Sequence, residues 1–195
     1  MSDQPAAVLP WPSPIDKAQD LLIIAVDTPH TLLRDAARQL VRGVLRDILG
    51  EVELISVPGQ PIRVARVGSR IGISVSHESG LSLVAINFVG PVGIDLLRTP
   101  EDRHWQAEVS TLAADYLGPE TARRIAELPP SAQTIQFAEA WMTHEASLKS
   151  LGLELTEWNT ELAEKLLTCR TQKLALPAAY IGAVATLRAD ENPAV

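Results

Sequence analysis

Ile71-Gly72-Ile73-Ser74-Val75-Ser76-His77-Glu78-Ser79-Gly80-Leu81-Ser82-Leu83-Val84-Ala85-Ile86-Asn87-Phe88-Val89-Gly90-Pro91-Val92-Gly93-Ile94-Asp95-Leu96-Leu97 contains three apolar runs separated by turn residues. Ile71 to Ser76 and Leu81 to Phe88 read as strands, with His77-Glu78-Ser79-Gly80 as the hairpin loop between them. Gly90-Pro91 then turns the chain into a third strand, Val92 to Leu97. Upstream, Leu21 to Val26 is a short apolar run that predicts a strand. Thr31 to Leu49 predicts an amphipathic helix, because Leu33, Ala37, Leu40, Val41, Val44, Leu45 and Ile48 fall at helical spacing and Gly50 stops it. Val52 to Val57 reads as a strand, Pro58-Gly59-Gln60-Pro61 as a turn, and residues 1–20 as an irregular arm. Downstream the pattern becomes helical: His104 to Leu117, Glu120 to Leu128, and a long helix capped by Ser131 that ends near Leu151 before Gly152. Residues 161–168 suit one more helix and Tyr180 to Leu187 a final strand. Strands and helices mix without strict alternation and no sequence repeat is visible, so the expected class is α+β, not a doubly wound sheet.

Composition limits the function. The chain has 195 residues, 46% of them hydrophobic but only 4% aromatic, so its core must be mostly aliphatic. A net charge of −7 argues against sequence-independent nucleic-acid binding, which needs a basic face. Cys169 is the one cysteine, which rules out an intramolecular disulfide and a multi-cysteine zinc site. The Pro-rich N-terminus does not read as a secretory signal, and no apolar run reaches the ~18–20 residues of a spanning helix. The expectation is a cytoplasmic protein, monomeric, with no membrane partner.

Two segments carry chemistry. Asp95 closes the strand-like run Val92-Gly93-Ile94, where an acid is costly to bury without a partner. Trp141, Glu145 and Lys149 share one helix face at i, i+4 and i+8 within Trp141-Met142-Thr143-His144-Glu145-Ala146-Ser147-Leu148-Lys149. Taken singly, each has a plain reading: Asp95 as a strand-end acid facing solvent, Glu145 and Lys149 as an ordinary helical pair, His77 as a loop histidine. Taken together, two separated carboxylates and a lysine can hold a divalent cation against a phosphate ester. Arg34, Arg38, Arg42 and Arg46 form a slanted stripe on the first helix, either a solvated face or a phosphate contact.

Four segments in this order resemble the signature of the 4′-phosphopantetheinyl transferases of the surfactin-synthetase type. Gly59-Gln60-Pro61 stands for the family's Gly-Lys-Pro, and Val75-Ser76-His77-Glu78 for Ile-Ser-His-Ser. Gly93-Ile94-Asp95-Leu96-Leu97 stands for Gly-Ile-Asp-x-Glu, and Trp141 to Lys149 for Trp-Thr-x-Lys-Glu-Ala-x-x-Lys. Order and spacing over residues 59–149 make the match more specific than any one segment.

The resemblance implies a pseudo-dimer of two similar small α/β lobes, 1–90 and 91–195, with the active site in the cleft between them. It implies that the chain moves the 4′-phosphopantetheine group of coenzyme A to a serine of an acyl or peptidyl carrier protein, and that adenosine 3′,5′-bisphosphate leaves. Asp95 and Glu145 would bind Mg²⁺ on the pyrophosphate, and Glu145 would also take the serine proton. Lys149 would neutralise the phosphoryl group in transit and His77 would hydrogen-bond a phosphate. Ser76 and Gln60 would contact coenzyme A, with Arg34 and Arg38 toward its 3′-phosphate. The chain departs from the pattern at Leu97 (an acid in the family), His144 and Gln60 (both lysines). Those departures leave open a non-catalytic member that binds coenzyme A or a carrier protein without turnover. A hydrolase built on Ser76 and His77 fits poorly, because strand neighbours point opposite ways and no Gly-x-Ser-x-Gly surrounds Ser76.

Overall fold

The alternation of apolar and small polar residues along Gly72–Glu78 shows how the molecule is layered: Ile73 and Val75 face one side, Ser74 and Ser76 the other. The computed structural model describes residues 4–16, 18–30, 34–55, 62–65, 70–99 and 104–188. Its elements are, in order, β1 (Leu9–Pro10), β2 (Leu21–Asp27), α1 (Arg34–Leu49), β3 (Leu54–Ile55), β4 (Ile62–Val64), β5 (Gly72–Glu78), β6 (Leu81–Asn87), β7 (Val92–Arg98), α2 (His104–Tyr116), α3 (Pro119–Ala126), α4 (Pro130–Leu151), α5 (Thr160–Leu167), β8 (Cys169–Lys173) and β9 (Tyr180–Leu187). The class is α+β, as the sequence leads one to expect.

Two sheets form. One has strand order β1-β2-β6-β5-β4-β3 and the other β7-β9-β8. Val41, Val44, Leu45 and Ile48 of α1 cover one face of the larger sheet through Leu22, Ile24, Val84 and Ile86. The opposite face, through Ile23, Leu81, Leu83 and Ala85, packs on Val92, Ile94 and Leu96 of β7 and Val184 of β9. Met142 and Ala146 of α4 cover the far side of the smaller sheet at Ala183 and Ala185. The layers are therefore helix, sheet, sheet, helix. Each fully buried aliphatic side chain contributes about 1.5–3 kcal/mol, so these shared faces dominate the cohesion of the fold. Both sheets share one order: the first strand of the segment lies beside the last, and the last beside the one before it (β2-β6-β5 and β7-β9-β8).

Several elements depart from the reading of the sequence, each for a physical reason. The N-terminal arm is not irregular throughout. Leu9–Pro10 pairs in parallel with Ile24 and Ala25, and the Ala6 N–H donates to the Lys173 carbonyl at 2.8 Å. An apolar Trp11 and Ile15 packed on the α1 core anchor it. His77 and Glu78 lie within β5, and the turn is only Ser79-Gly80, because the two-residue hairpin puts glycine where φ is +90°. Ser131 does not cap α4. Pro129 takes that position and Pro130 starts the helix, where its missing N–H costs nothing. β8, Cys-Arg-Thr-Gln-Lys, lacks an apolar run because it lies at the edge of its sheet, with β9 on one side and, among the described residues, just a single bridge from Ala6 on the other. The Val52 to Val57 strand is confined to Leu54–Ile55 within the described residues. No helix among the described residues is long and apolar enough to cross a membrane.

Candidate active site

β5, β7 and α4 converge on one carboxylate. β5 shows β7 a face of Gly72, Ser74 and Ser76. A Cβ at Gly72 would collide with the Gly90 carbonyl oxygen and lie 3.0 Å from the Val92 nitrogen, so the smallest residue sits where the two strands cross most closely. Ser74 Oγ accepts the Ile94 N–H at 3.1 Å, satisfying a backbone donor on the open edge of β7. Two residues on, Ser76 Oγ donates to Asp95 Oδ1 at 2.9 Å.

Gly93, Asp95 and Leu97 turn toward α4. A Cβ on Gly93 would collide with the Ala146 carbonyl oxygen and come within 2.5 Å of the Ser150 nitrogen and 2.9 Å of Lys149 Cβ. This close approach lets Lys149 reach β7. Its Nζ donates to Asp95 Oδ1 at 2.5 Å and to the Ile94 carbonyl at 3.2 Å. The Asp95 side chain is 13% exposed and that of Lys149 33%, so the pair is shielded but open on the lysine side. Glu145, one turn before Lys149, is half-buried. Burial pushes its carboxyl pKa above the usual value, the Asp95 carboxylate pushes it further, and Lys149 pulls it back. The three charges thus act on one another.

Hydrogen bonds join Asp95, Lys149 and Ser76, and Glu145 lies near enough to feel the charges of Asp95 and Lys149. His77 projects from the other face of β5, where its Nδ1 shares a 2.8 Å hydrogen bond with Ser82 Oγ. Arg38 is exposed and pairs with Asp35 at 3.2 Å. Gln60 lies outside the described residues, as does the side chain of Arg34. Arg42 and Arg46 line a cavity of about 370 Å³ with Val52 and Leu54.

Two of the three residues that depart from the resemblance, Leu97 and His144, have a clear physical setting. Leu97 packs with Met142, Ala146 and Ala183, in an apolar patch where an acid would be costly. His144 is 7% exposed, its pKa is lowered by burial, and it lines a separate groove of about 390 Å³ with Thr143, Ser147 and Cys169. Trp141 is held by Tyr116 and Phe137, with ring centroids 5.6 and 5.5 Å away. It shapes the helix packing around the site.

Sequence reading missed Ser74, the Ile94 carbonyl and the bond from Ser76 to Asp95. The available signal was the alternation Gly72, Ser74, Ser76 opposite Ile73, Val75: small polar residues on one strand face mark the close approach of another backbone.

Magnesium prefers oxygen donors, keeps waters, and is commonly held by one or two carboxylates plus substrate phosphates. Asp95 and Glu145 fit that donor set, because their mutual repulsion is what a divalent cation relieves. Among the described residues no group of three or more His, Cys, Asp or Glu gathers, so an all-protein cage is not available there. No protein-family model and no curated protein matches the chain.

Proposed function

We propose that the chain is a Mg²⁺-dependent 4′-phosphopantetheinyl transferase acting on a carrier protein in the cytoplasm. One observation carries the reading. Asp95, Glu145 and Lys149 meet from β7 and α4 at a half-shielded place, with the glutamate carboxyl pushed up by burial and by Asp95. The shared strand order of the two sheets supports a pseudo-dimer of lobes 1–90 and 91–195, with the site along the β7 boundary.

Asp95 and Glu145 would hold Mg²⁺, which when bound supplies charge neutralisation at the coenzyme A diphosphate. The serine oxygen of the carrier attacks the β-phosphorus, the bond to the bridging oxygen breaks, and adenosine 3′,5′-bisphosphate departs. The serine proton passes to Glu145, directly or through water. Lys149, fixed by two acceptors, keeps its remaining N–H for a phosphoryl oxygen and acts on the charge in transit. His77, on the other face of β5, is assigned to a phosphate farther along coenzyme A, and Arg34 and Arg38 to its 3′-phosphate.

Mass spectrometry of a panel of apo-carrier proteins incubated with coenzyme A and Mg²⁺ tests this. A carrier heavier by one phosphopantetheine group is the expected product. Coenzyme A binding without transfer to any carrier would instead identify a non-catalytic member, for which Leu97 and His144 supply the reason.

A further inference from the structure

Asp95 Oδ1 receives both the Ser76 hydroxyl and the Lys149 ammonium. Among the described residues no hydrogen bond reaches Oδ2, which leaves that oxygen for a cation. The two donors differ in kind. Lys149 sits at the end of a flexible four-carbon stem and is a third exposed. Ser76 is 7% exposed, carries its hydroxyl on a single rotatable bond, and lies in the middle of a strand paired with β6. Terminal carboxylate torsions are soft and two-fold, so a lysine alone would donate equally to either oxygen of Asp95. A rigid hydroxyl selects one.

We propose that Ser76 is a positioning residue that orients Asp95, not a contact to coenzyme A. It reserves Oδ1 for itself and Lys149 and turns Oδ2 toward the metal. This rests on the reading of Asp95 as a cation ligand. The single O–H of Ser76 is committed to Asp95, so it has no proton to give a phosphate. Ser74 provides the internal comparison. It lies on the same face of β5 and braces the same strand through the Ile94 N–H, yet does not touch the carboxylate. Outer partners of metal ligands are worth about 10–100-fold in metal affinity. Ser76 should show that effect and Ser74 should not.

The test is a Mn²⁺ titration of the whole chain with saturating coenzyme A and no carrier, read by electron paramagnetic resonance of free Mn²⁺. Ser76→Ala is expected to weaken Mn²⁺ about tenfold. Ser74→Ala is expected to match the wild type while lowering the denaturation midpoint. Ser76→Cys, close in volume with a weaker donor, should fall between, and decides the matter if the alanine variant does not fold. Wild-type affinity in Ser76→Ala and Ser76→Cys overturns the role. Equal losses in Ser74→Ala and Ser76→Ala overturn it too, because both serines would then be braces. Asp95→Asn distinguishes the deeper failure: unchanged Mn²⁺ binding there removes the metal reading itself, and the role of Ser76 with it.

Discussion

α1 and α4 each cover a sheet but show it different chemistry. α1 turns Val41, Val44, Leu45 and Ile48 onto the larger sheet and leaves Arg38, Arg42 and Arg46 exposed. α4 turns Met142 and Ala146 onto the smaller sheet, yet on the same approach it brings Lys149 onto Asp95 and half-buries Glu145. Burying charge costs free energy unless partners compensate. A helix that does so without need would be a poor structural element. On the proposed reading the β7–α4 contact carries the chemistry, while α1 chiefly supports the larger sheet and offers only its exposed arginines to coenzyme A.

A double dissociation is the most direct way to break this contrast. Asp95→Ala and Glu145→Ala should each lower transfer at least about 100-fold, the scale of losing a key electrostatic group, while both variants remain folded. Leu45→Ala, fully buried under α1, should cost about 2–5 kcal/mol in denaturant unfolding and leave kcat of the folded enzyme near normal. If Leu45→Ala lost turnover while Asp95→Ala kept it, the assignment of roles would be reversed.

Two glycines sharpen the same contrast structurally. A methyl at Gly93 meets the α4 backbone, whereas one at Gly43 in α1 meets nothing within 4 Å. Gly93→Ala should destabilise by roughly 3 kcal/mol or more, since backbone must move. Gly43→Ala should stabilise by about 0.5–1 kcal/mol, because glycine wastes helix propensity in an open position. Urea midpoints of the two variants, compared with the wild type, decide it. A neutral Gly93→Ala would mean that β7 and α4 do not need their close approach.

Lys149 separates binding from chemistry. Lys149→Ala should lower kcat about tenfold or more and change KM for coenzyme A less, because charge in transit is largest in the transition state. A pure KM effect would return the lysine to a simple phosphate contact.

Legibility in the sequence followed the same division. α1 is amphipathic, so period 3.6 exposed its buried face directly, and the strands β2, β5, β6, β7 and β9 read clearly from their apolar runs. α4 is covered on several sides: Phe137 and Trp141 meet α2 and α3, Met142 and Ala146 meet the sheet. Its pattern therefore has no single face to read. Edge strands such as β8 are half polar and have no apolar run. Glu145 and Lys149 stood out by their shared helix face but took specific roles only from the resemblance, and the serine face of β5 was visible as alternation but not as a partner to Asp95. Register across two sheets, which no local pattern encodes, is what joins Ser76 to Asp95.

The smallest expected effect tests the strain at Glu145. Its carboxyl titrates above the ordinary value of 4.5, chiefly through burial. Above the shifted pKa the folded protein holds an ionised carboxylate at a cost that the unfolded chain does not bear. Below the ordinary value both states are protonated and the cost vanishes. The contribution of Glu145 to stability therefore improves as pH falls through the shifted pKa, opposite in sign to a carboxylate held by a salt bridge. Glu145→Gln removes the charge at similar volume. In metal-free buffer at pH 8 the variant should melt about 1–3 °C above the wild type, and the gap should close near pH 4. Mg²⁺ with coenzyme A should raise the wild-type midpoint and leave the glutamine variant almost unmoved, because a ligand stabilises only the state it binds. A glutamine variant less stable than the wild type at pH 8 would make Glu145 a structural partner of Lys149, and α4 would then be an ordinary supporting helix like α1.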